Sequence, residues 1–300
     1  MDAVTTELSV LNRDKPVSQD DTIRMLLERS KRSARAVPIR RAFIQDIEPG
    51  PGQVTKPGPF AKLLRSPAQL DLFLLIHAVT ARADWGVTER SETWGRAAGI
   101  DFGTNGSASA AVSRHLKKLK GLKLISTAPD GRKTRITKQL EDGSGDPYTK
   151  PSGNETGSRK DIYIKMPFEY WEQSYYRTLG MPAKAMLLIV MSLRDRSVVL
   201  RQNREFASWY GISPATVSRG MAELKDKGLL YEYLSEAYLT GDTPLGSDTR
   251  TRYALSAPFD INIKKAVREA AEAMWTPEGV LGTALRYKPS LDSFRGADPR

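Results

Sequence analysis

Apolar side chains recur at three- and four-residue spacing in several separated stretches of the chain, and strict alternation takes over between them. The clearest stretch is residues 202–230, QNREFASWYGISPATVSRGMAELKDKGLL. Glu205, Phe206, Ala207 and Trp209 read as a short helix closed by Gly211, a residue able to take the left-handed turn conformation. Ser213 then offers an N-cap oxygen and Pro214 suits the first helical position. Val217, Met221 and Leu224 form one apolar stripe, and Gly228 stops the helix. The other face shows Ala215, Ser218, Arg219 and Ala222, which are small or able to bond DNA. Helix, tight turn and helix with a free N-terminus is the pattern of a helix-turn-helix, whose second helix reads DNA.

The same pattern occurs upstream. Ser66 and Pro67 open a helix over residues 66–82 with Leu70, Phe73, Leu74, His77 and Ala78 on one face, which makes His77 a packed residue rather than a ligand. A short helix over 91–100 and a loop over 101–106 lead to a longer helix over 107–121. Val112, Leu116 and Leu119 form its stripe, while Ser109, Ser113, Arg114, Lys117 and Lys118 fall elsewhere. A strand over 122–127 and the hairpin signal Asp130-Gly131 follow, with Arg132, Lys133 and Arg135 at or beside the tip. A basic hairpin after the second helix is a wing, suited to the sugar–phosphate backbone or the minor groove.

The two stretches share one register. Val112-Ser113-Arg114 matches Val217-Ser218-Arg219 at an offset of 105 positions, as do Leu116 and Met221, Leu119 and Leu224, and Lys120 and Lys225. The upstream helices also begin alike, at Pro67-Ala68 and Pro182-Ala183. Two diverged copies of one unit are expected. In the second copy, Tyr231 and Tyr233 and later Arg252, Tyr253 and Leu255 bracket a long tip over 240–248, and Arg250 and Arg252 are expected to make that wing positive. Between the copies, residues 141–161 read as loop, 162–166 as a strand and 168–179 as one aromatic-rich helix. Its Tyr170, Trp171, Tyr175 and Tyr176 are expected to pack the joint, base stacking being the sharper alternative.

The flanks are less patterned. A helix is possible over 20–36, with Ile23, Met25, Leu26 and Leu27 as its apolar side. The run from Arg29 to Arg41 carries six cations and no acid, and reads as an arm that tracks phosphates or as a solvated tail. Residues 49–59, PGPGQVTKPGP, read as a linker; no Gly-Lys-Ser/Thr follows, so a phosphate loop is dismissed. A closing helix over 260–274 and a loose tail over 276–300 end the chain.

Composition sharpens this picture. The chain has 300 residues, no Cys, two His and a formal net charge of +11, with a pI near 9.7. A basic chain of this kind points to an anionic partner, nucleic acid before membrane. Without Cys there is neither a disulfide frame nor thiolate-bound zinc. No signal peptide is apparent, and the longest apolar run, AMLLIVM at 185–191, is too short to span a bilayer, so a cytoplasmic, nucleoid-associated protein is expected. His77 and His115 are isolated, which leaves a nickase without its metal site; Glu141-Asp142 fall in a loop expected to be too loose to hold a catalytic base. No enzyme activity, cofactor or metal is expected, a metal-dependent nuclease being the least excluded.

The stretch ISPATVSRGMAELKDKGLL resembles the reader helix of GntR-type bacterial winged-helix transcriptional regulators, which show Ser, Thr-Val, Arg and then Leu-x-x-x-Gly-Leu. That resemblance implies DNA contacts from Ser213, Thr216, Ser218 and Arg219. The tandem plan, with IYIKMPFEYW leading into PAKAMLLIVMSL, is similar to plasmid-type replication initiators built from two winged helices. The expected fold is therefore mainly α with small β-wings (α+β). Its divisions are a flexible basic arm and linker over 1–60, winged helices over 61–166 and 167–259, and a helix and tail over 260–300. The expected function is sequence-specific binding of double-stranded DNA, as a transcriptional regulator or a replication initiator, as a monomer or homodimer. Arg114 and Arg219 are the candidate base readers; Lys117, Lys118 and Lys225 are candidate phosphate anchors, with Arg132, Lys133, Arg135, Arg250 and Arg252 on the wings.

Overall fold

A computed structural model describes residues 17–45, 55–81, 84–100, 107–152, 161–193, 197–241 and 244–260. It is a mixed α+β structure with small antiparallel sheets. One order of elements occurs twice. The first unit runs α2 (Pro67–Val79), β2 (Gly86–Glu89), α3 (Ser91–Ala97), α4 (Ser107–Gly121), β3 (Ile125–Asp130) and β4 (Lys133–Lys138). The second runs α7 (Met181–Leu193), β6 (Val198–Val199), α8 (Arg204–Trp209), α9 (Pro214–Asp226), β7 (Leu230–Leu239) and β8 (Ser247–Leu255). In each sheet the third strand lies between the other two, β2-β4-β3 and β6-β8-β7.

The local causes are those the residues announce. Ser213 caps α9 by accepting from the Thr216 N–H at 3.1 Å, and Pro214 follows at the first helical position. Gly211 takes φ +65° in the turn before it. The first hairpin turns at Gly131, φ +58°, between the paired Asp130 and Lys133. Val112, Leu116 and Leu119 are buried on α4, as are Val217, Met221 and Leu224 on α9. In the second unit α9 lies hard against α7: a Cβ on Gly220 would sit 2.3 Å from the Pro182 carbonyl oxygen.

Residues before the first unit are part of the body. Helix α1 (Gln19–Ser30) stops short of the expected end and strand β1 (Ala36–Arg40) follows. That strand pairs antiparallel with β5 (Tyr163–Pro167), Ala36 against Pro167 and Arg40 against Tyr163. The expected free arm is therefore wrong for residues 17–45, because most cations of the basic run are engaged. Arg29 pairs with Glu89 at 2.6 Å and Arg35 with Glu172. Arg32 donates to the carbonyls of His77 and Ala78 at the end of α2, at 2.9 and 2.8 Å. Arg40 is 3% exposed and bonds Glu141 and Asp161, each at 3.0 Å. The linker expectation fails for its last residues as well: Gly58 packs on the Ala42 and Phe43 carbonyls, and Phe60 is fully buried.

The aromatic stretch is two short helices, α5 (Glu169–Glu172) and α6 (Tyr175–Thr178), parted by Ser174 at φ +58°. Tyr170, Trp171 and Tyr176 are buried, so these rings pack and do not stack on bases. They join the units: the Tyr170 hydroxyl donates to Asp71 of α2 at 2.8 Å, and Lys184 of α7 reaches the same carboxylate at 2.6 Å. One continuous apolar core runs through both units. The expected closing helix over 260–274, apart from its first residue, and the tail over 276–300 lie outside the described residues, as does the loop over 101–106.

Candidate nucleic-acid interface

Helix α4 is amphipathic because its apolar residues return every three or four positions and everything between them is polar or small. Ser109, Ser113, Arg114, Lys117, Lys118 and Lys120 are exposed. Among the described residues, Arg114, Lys117, Lys118 and Lys120 have no carboxylate and no hydrogen-bond partner. The hairpin that follows adds Arg132 and Lys133, exposed at its tip and equally without partners among the described residues. Arg135 is different. It pairs with Asp84 at 2.6 Å and holds that carboxyl below its usual range, so it braces the base of the hairpin.

On α9, Arg219 is exposed and its Nε donates at 3.3 Å to the Ala215 carbonyl one turn back. Ser213 and Thr216 are tied to each other at 2.9 Å as part of the cap. Ser218 donates to Gln202 at 2.8 Å. That bond sets the 201–204 segment beside α9, with Arg201 and Arg204 both exposed. The sequence reading missed those two arginines because they stand just before α8 and at its first position, on no apolar stripe; only the doubled charge around Gln202-Asn203 pointed to them.

The second hairpin is not the expected positive wing. Arg252 lies at its base and donates to the Ser197 hydroxyl at 3.0 Å and carbonyl at 2.9 Å. Lys225 pairs with Glu232 at 2.7 Å and sits 4.7 Å from the Tyr253 ring centre. Arg250 faces Glu236 in the register and lies over Tyr238. With Glu232, Glu236 and Asp248 on the same ribbon, its exposed length is acidic.

A second concentration of charge is internal. Lys138, 1% exposed, has its Nζ 3.8 Å from the Tyr148 ring centre and 4.8 Å from that of Trp85, with no hydrogen-bond partner. Burial and the neighbouring Arg32 lower its pKa to about 7. Beside it, His77 is fully buried with both ring nitrogens unpartnered, and burial followed by Lys138 holds its pKa far down. A neutral His77 makes no ion pair with Glu141, although the two stand 4.0 Å apart. Glu141 is fully buried and accepts from the Arg40 backbone N–H at 3.2 Å and its guanidinium at 3.0 Å. This carboxylate thus corrects the expectation of a loose loop. Its oxygens are committed to Arg40, and no group of three or more acids or histidines able to hold a metal occurs among the described residues.

The described helices include none long and apolar enough to cross a membrane. No family model matches the chain, and neither does any curated protein or solved structure.

Proposed function

We propose that this protein binds double-stranded DNA sequence-specifically through two tandem winged helices. In this reading α4 and α9 enter successive major grooves, and the α4 unit supplies most of the electrostatic grip. One observation carries it: the cations buried in the body are matched by carboxylates, carbonyls or aromatic rings, whereas those of α4 and the tip beyond it are left facing solvent. Four exposed cations on one helix without counter-charges leave a positive face open to an anionic partner. A helix of this width fits the major groove, where Arg114 and Arg219 reach base edges, Arg being the usual bidentate partner of guanine. Ser109, Ser113, Lys117 and Lys118 take phosphates, and Arg132 and Lys133 follow the backbone. Arg201 and Arg204 take that role beside α9.

The biological role we assign is transcriptional regulation, with protection of one operator overlapping a promoter as its signature. Repeated short sites beside an AT-rich segment would instead make the protein a replication initiator. The test is selection of bound sequences from random duplexes, repeated with Arg114→Ala and Arg219→Ala. Each substitution is expected to relax preference at one position and to cost about 1–3 kcal/mol of discrimination. Unchanged affinity and preference in both variants would refute the reading.

A further inference from the structure

Residues 57–61 lie between the two units and touch both. On the second unit, Gly211 makes the turn before the Ser213 cap of α9, and a Cβ there would sit 2.8 Å from the Ala61 Cβ and 3.1 Å from the Pro57 ring. Tyr210, the residue before it, is buried and feels the charge of Arg41. On the first unit, a Cβ on Gly143 would sit 3.0 Å from the Pro59 ring and 3.3 Å from the carbonyl oxygen of Leu122, the residue that follows α4. One short stretch therefore runs from the C-terminal end of α4 to the turn that starts α9.

The stretch is stiff. Pro57 and Pro59 fix two of its φ angles, and Pro59–Lys62 form a 3-10 turn. Gly58 has no room for a side chain: its Cβ would meet the Ala42 and Phe43 carbonyl oxygens at 2.4 Å, and its N–H donates to the Ile44 carbonyl at 3.1 Å. Phe60 is fully buried, edge-on to Phe43 with ring centres 5.8 Å apart. A second route joins the same two helices through other residues. Gln69 of α2 donates to the His115 carbonyl of α4 at 3.4 Å, and Asp71 of α2 binds Lys184 of α7 at 2.6 Å. Glu223 of α9 then accepts from the Gly180 N–H, just before α7, at 2.6 Å. The two routes close into a frame, which resists independent motion of α4 and α9.

We propose that residues 57–61 are the spacer that sets the separation and rotational phase of α4 and α9, so that the protein accepts a single spacing between the two halves of its DNA site. This rests on the DNA reading above and deepens it. Arg114 and Arg219 read bases, whereas Pro57, Gly58, Pro59 and Ala61 are positioning residues that act through the helices they hold apart. Loosely tethered heads engage their halves at several spacings. Rigidly framed heads engage at one, because avidity is lost when geometry forbids both from binding at once.

The test uses the full-length chain and its selected duplex, with the halves assigned by the positions that Arg114→Ala and Arg219→Ala relax. Half a helical turn of DNA inserted between the halves sets them on opposite faces; a full turn restores the facing but adds about 34 Å. Both insertions are expected to lower affinity about 100-fold, to that of a single half. Recovery of affinity with the full-turn insertion, as a flexible tether would give, would overturn the proposal. Pro57→Gly with Pro59→Gly softens the spacer. The penalty for a single inserted base pair is expected to shrink about tenfold in that variant, with binding to each isolated half unchanged. A stretch that merely supports the fold would weaken every duplex alike and leave that penalty as it was, which would also overturn the proposal. The insertions on the unaltered chain decide the matter even where the double substitution does not fold. Failure to select any sequence would refute the DNA reading, and the spacer with it; a selected sequence bound equally well at several spacings would refute the spacer alone.

Discussion

The two units share an order of elements and a register of apolar residues, yet they differ wherever the shared core does not reach. In the first, α4 and a short hairpin show unmatched cations outward, and a buried ion cluster fastens the hairpin's return to α2 and β1. In the second, the space below α9 is closed by Gly220 against α7, and the hairpin is long, acidic and apolar at its tip. A duplicated scaffold holds its stripe because the stripe is the core; its surfaces are free to part. Under the proposed function, the contrast puts most of the electrostatic grip in the first unit.

The sharpest way to separate the units is through their ion pairs. Glu141→Leu removes one partner of a buried pair and leaves Arg40 desolvated. It is expected to cost about 3–5 kcal/mol in urea unfolding. Glu232→Ala breaks the exposed pair with Lys225 in the second unit and should cost less than about 1 kcal/mol. Equal effects would mean that the two clusters do not differ in kind.

The buried ammonium adds a pH signature to the first unit. Because Lys138 has its pKa lowered to about 7, the folded chain releases a proton there that the unfolded chain keeps until about 10.5. Below pH 7 both states are charged and the burial penalty is complete. Between those values the unfolded state binds more protons, so this group's contribution to stability rises with pH. Lys138→Met is expected to stabilise by about 1–4 kcal/mol at pH 6. That advantage should fade towards pH 10, read from unfolding midpoints at both values. A constant difference across the range would show that Lys138 is not held low.

Gly220 tests the second unit in return. Its Cβ would meet the Pro182 carbonyl and the Met186 side chain, so Gly220→Ala must push α9 off α7 and should destabilise by about 1–3 kcal/mol. The position in register in the first unit is His115, half-buried, with its backbone carbonyl accepting from Gln69. His115→Ala is expected to be close to neutral in the same unfolding assay.

What was legible in the sequence follows from what is local. The α4 and α9 stripes, the Ser213 cap and the Gly131 turn each depend on residues within one or two turns of one another, and each was read correctly, whereas α2, read with one apolar face, is buried nearly all round. The pairing of Ala36 with Pro167, and of Arg40 with Glu141, joins residues more than a hundred positions apart and leaves no periodic trace. The basic run from Arg29 to Arg41 was misread for that reason: composition counts charges and cannot show that carboxylates from distant segments await them. The second hairpin was misread in the opposite sense. Arg250 and Arg252 stood out, while Glu232 and Glu236, on the other strand of the same ribbon, escaped notice. The candidate site was legible on α4, where charge and stripe share one helix, and illegible at Arg201 and Arg204, which only the fold sets beside α9.

The two hairpins give the smallest effect in free energy and the most direct reading of the contrast. If Arg132 and Lys133 follow a DNA backbone, each neutralises a phosphate and releases its counterion. The logarithm of affinity then depends on the logarithm of salt with a slope of about −0.9 per contact. Arg132→Ala with Lys133→Ala should therefore flatten that slope by about two and weaken all duplexes evenly, since phosphate contacts carry no sequence information. Arg250→Ala in the acidic ribbon should leave the slope unchanged. Titrating a labelled duplex at several salt concentrations distinguishes the cases. A slope that falls with Arg250→Ala and not with the double substitution would reverse the assignment of the two hairpins.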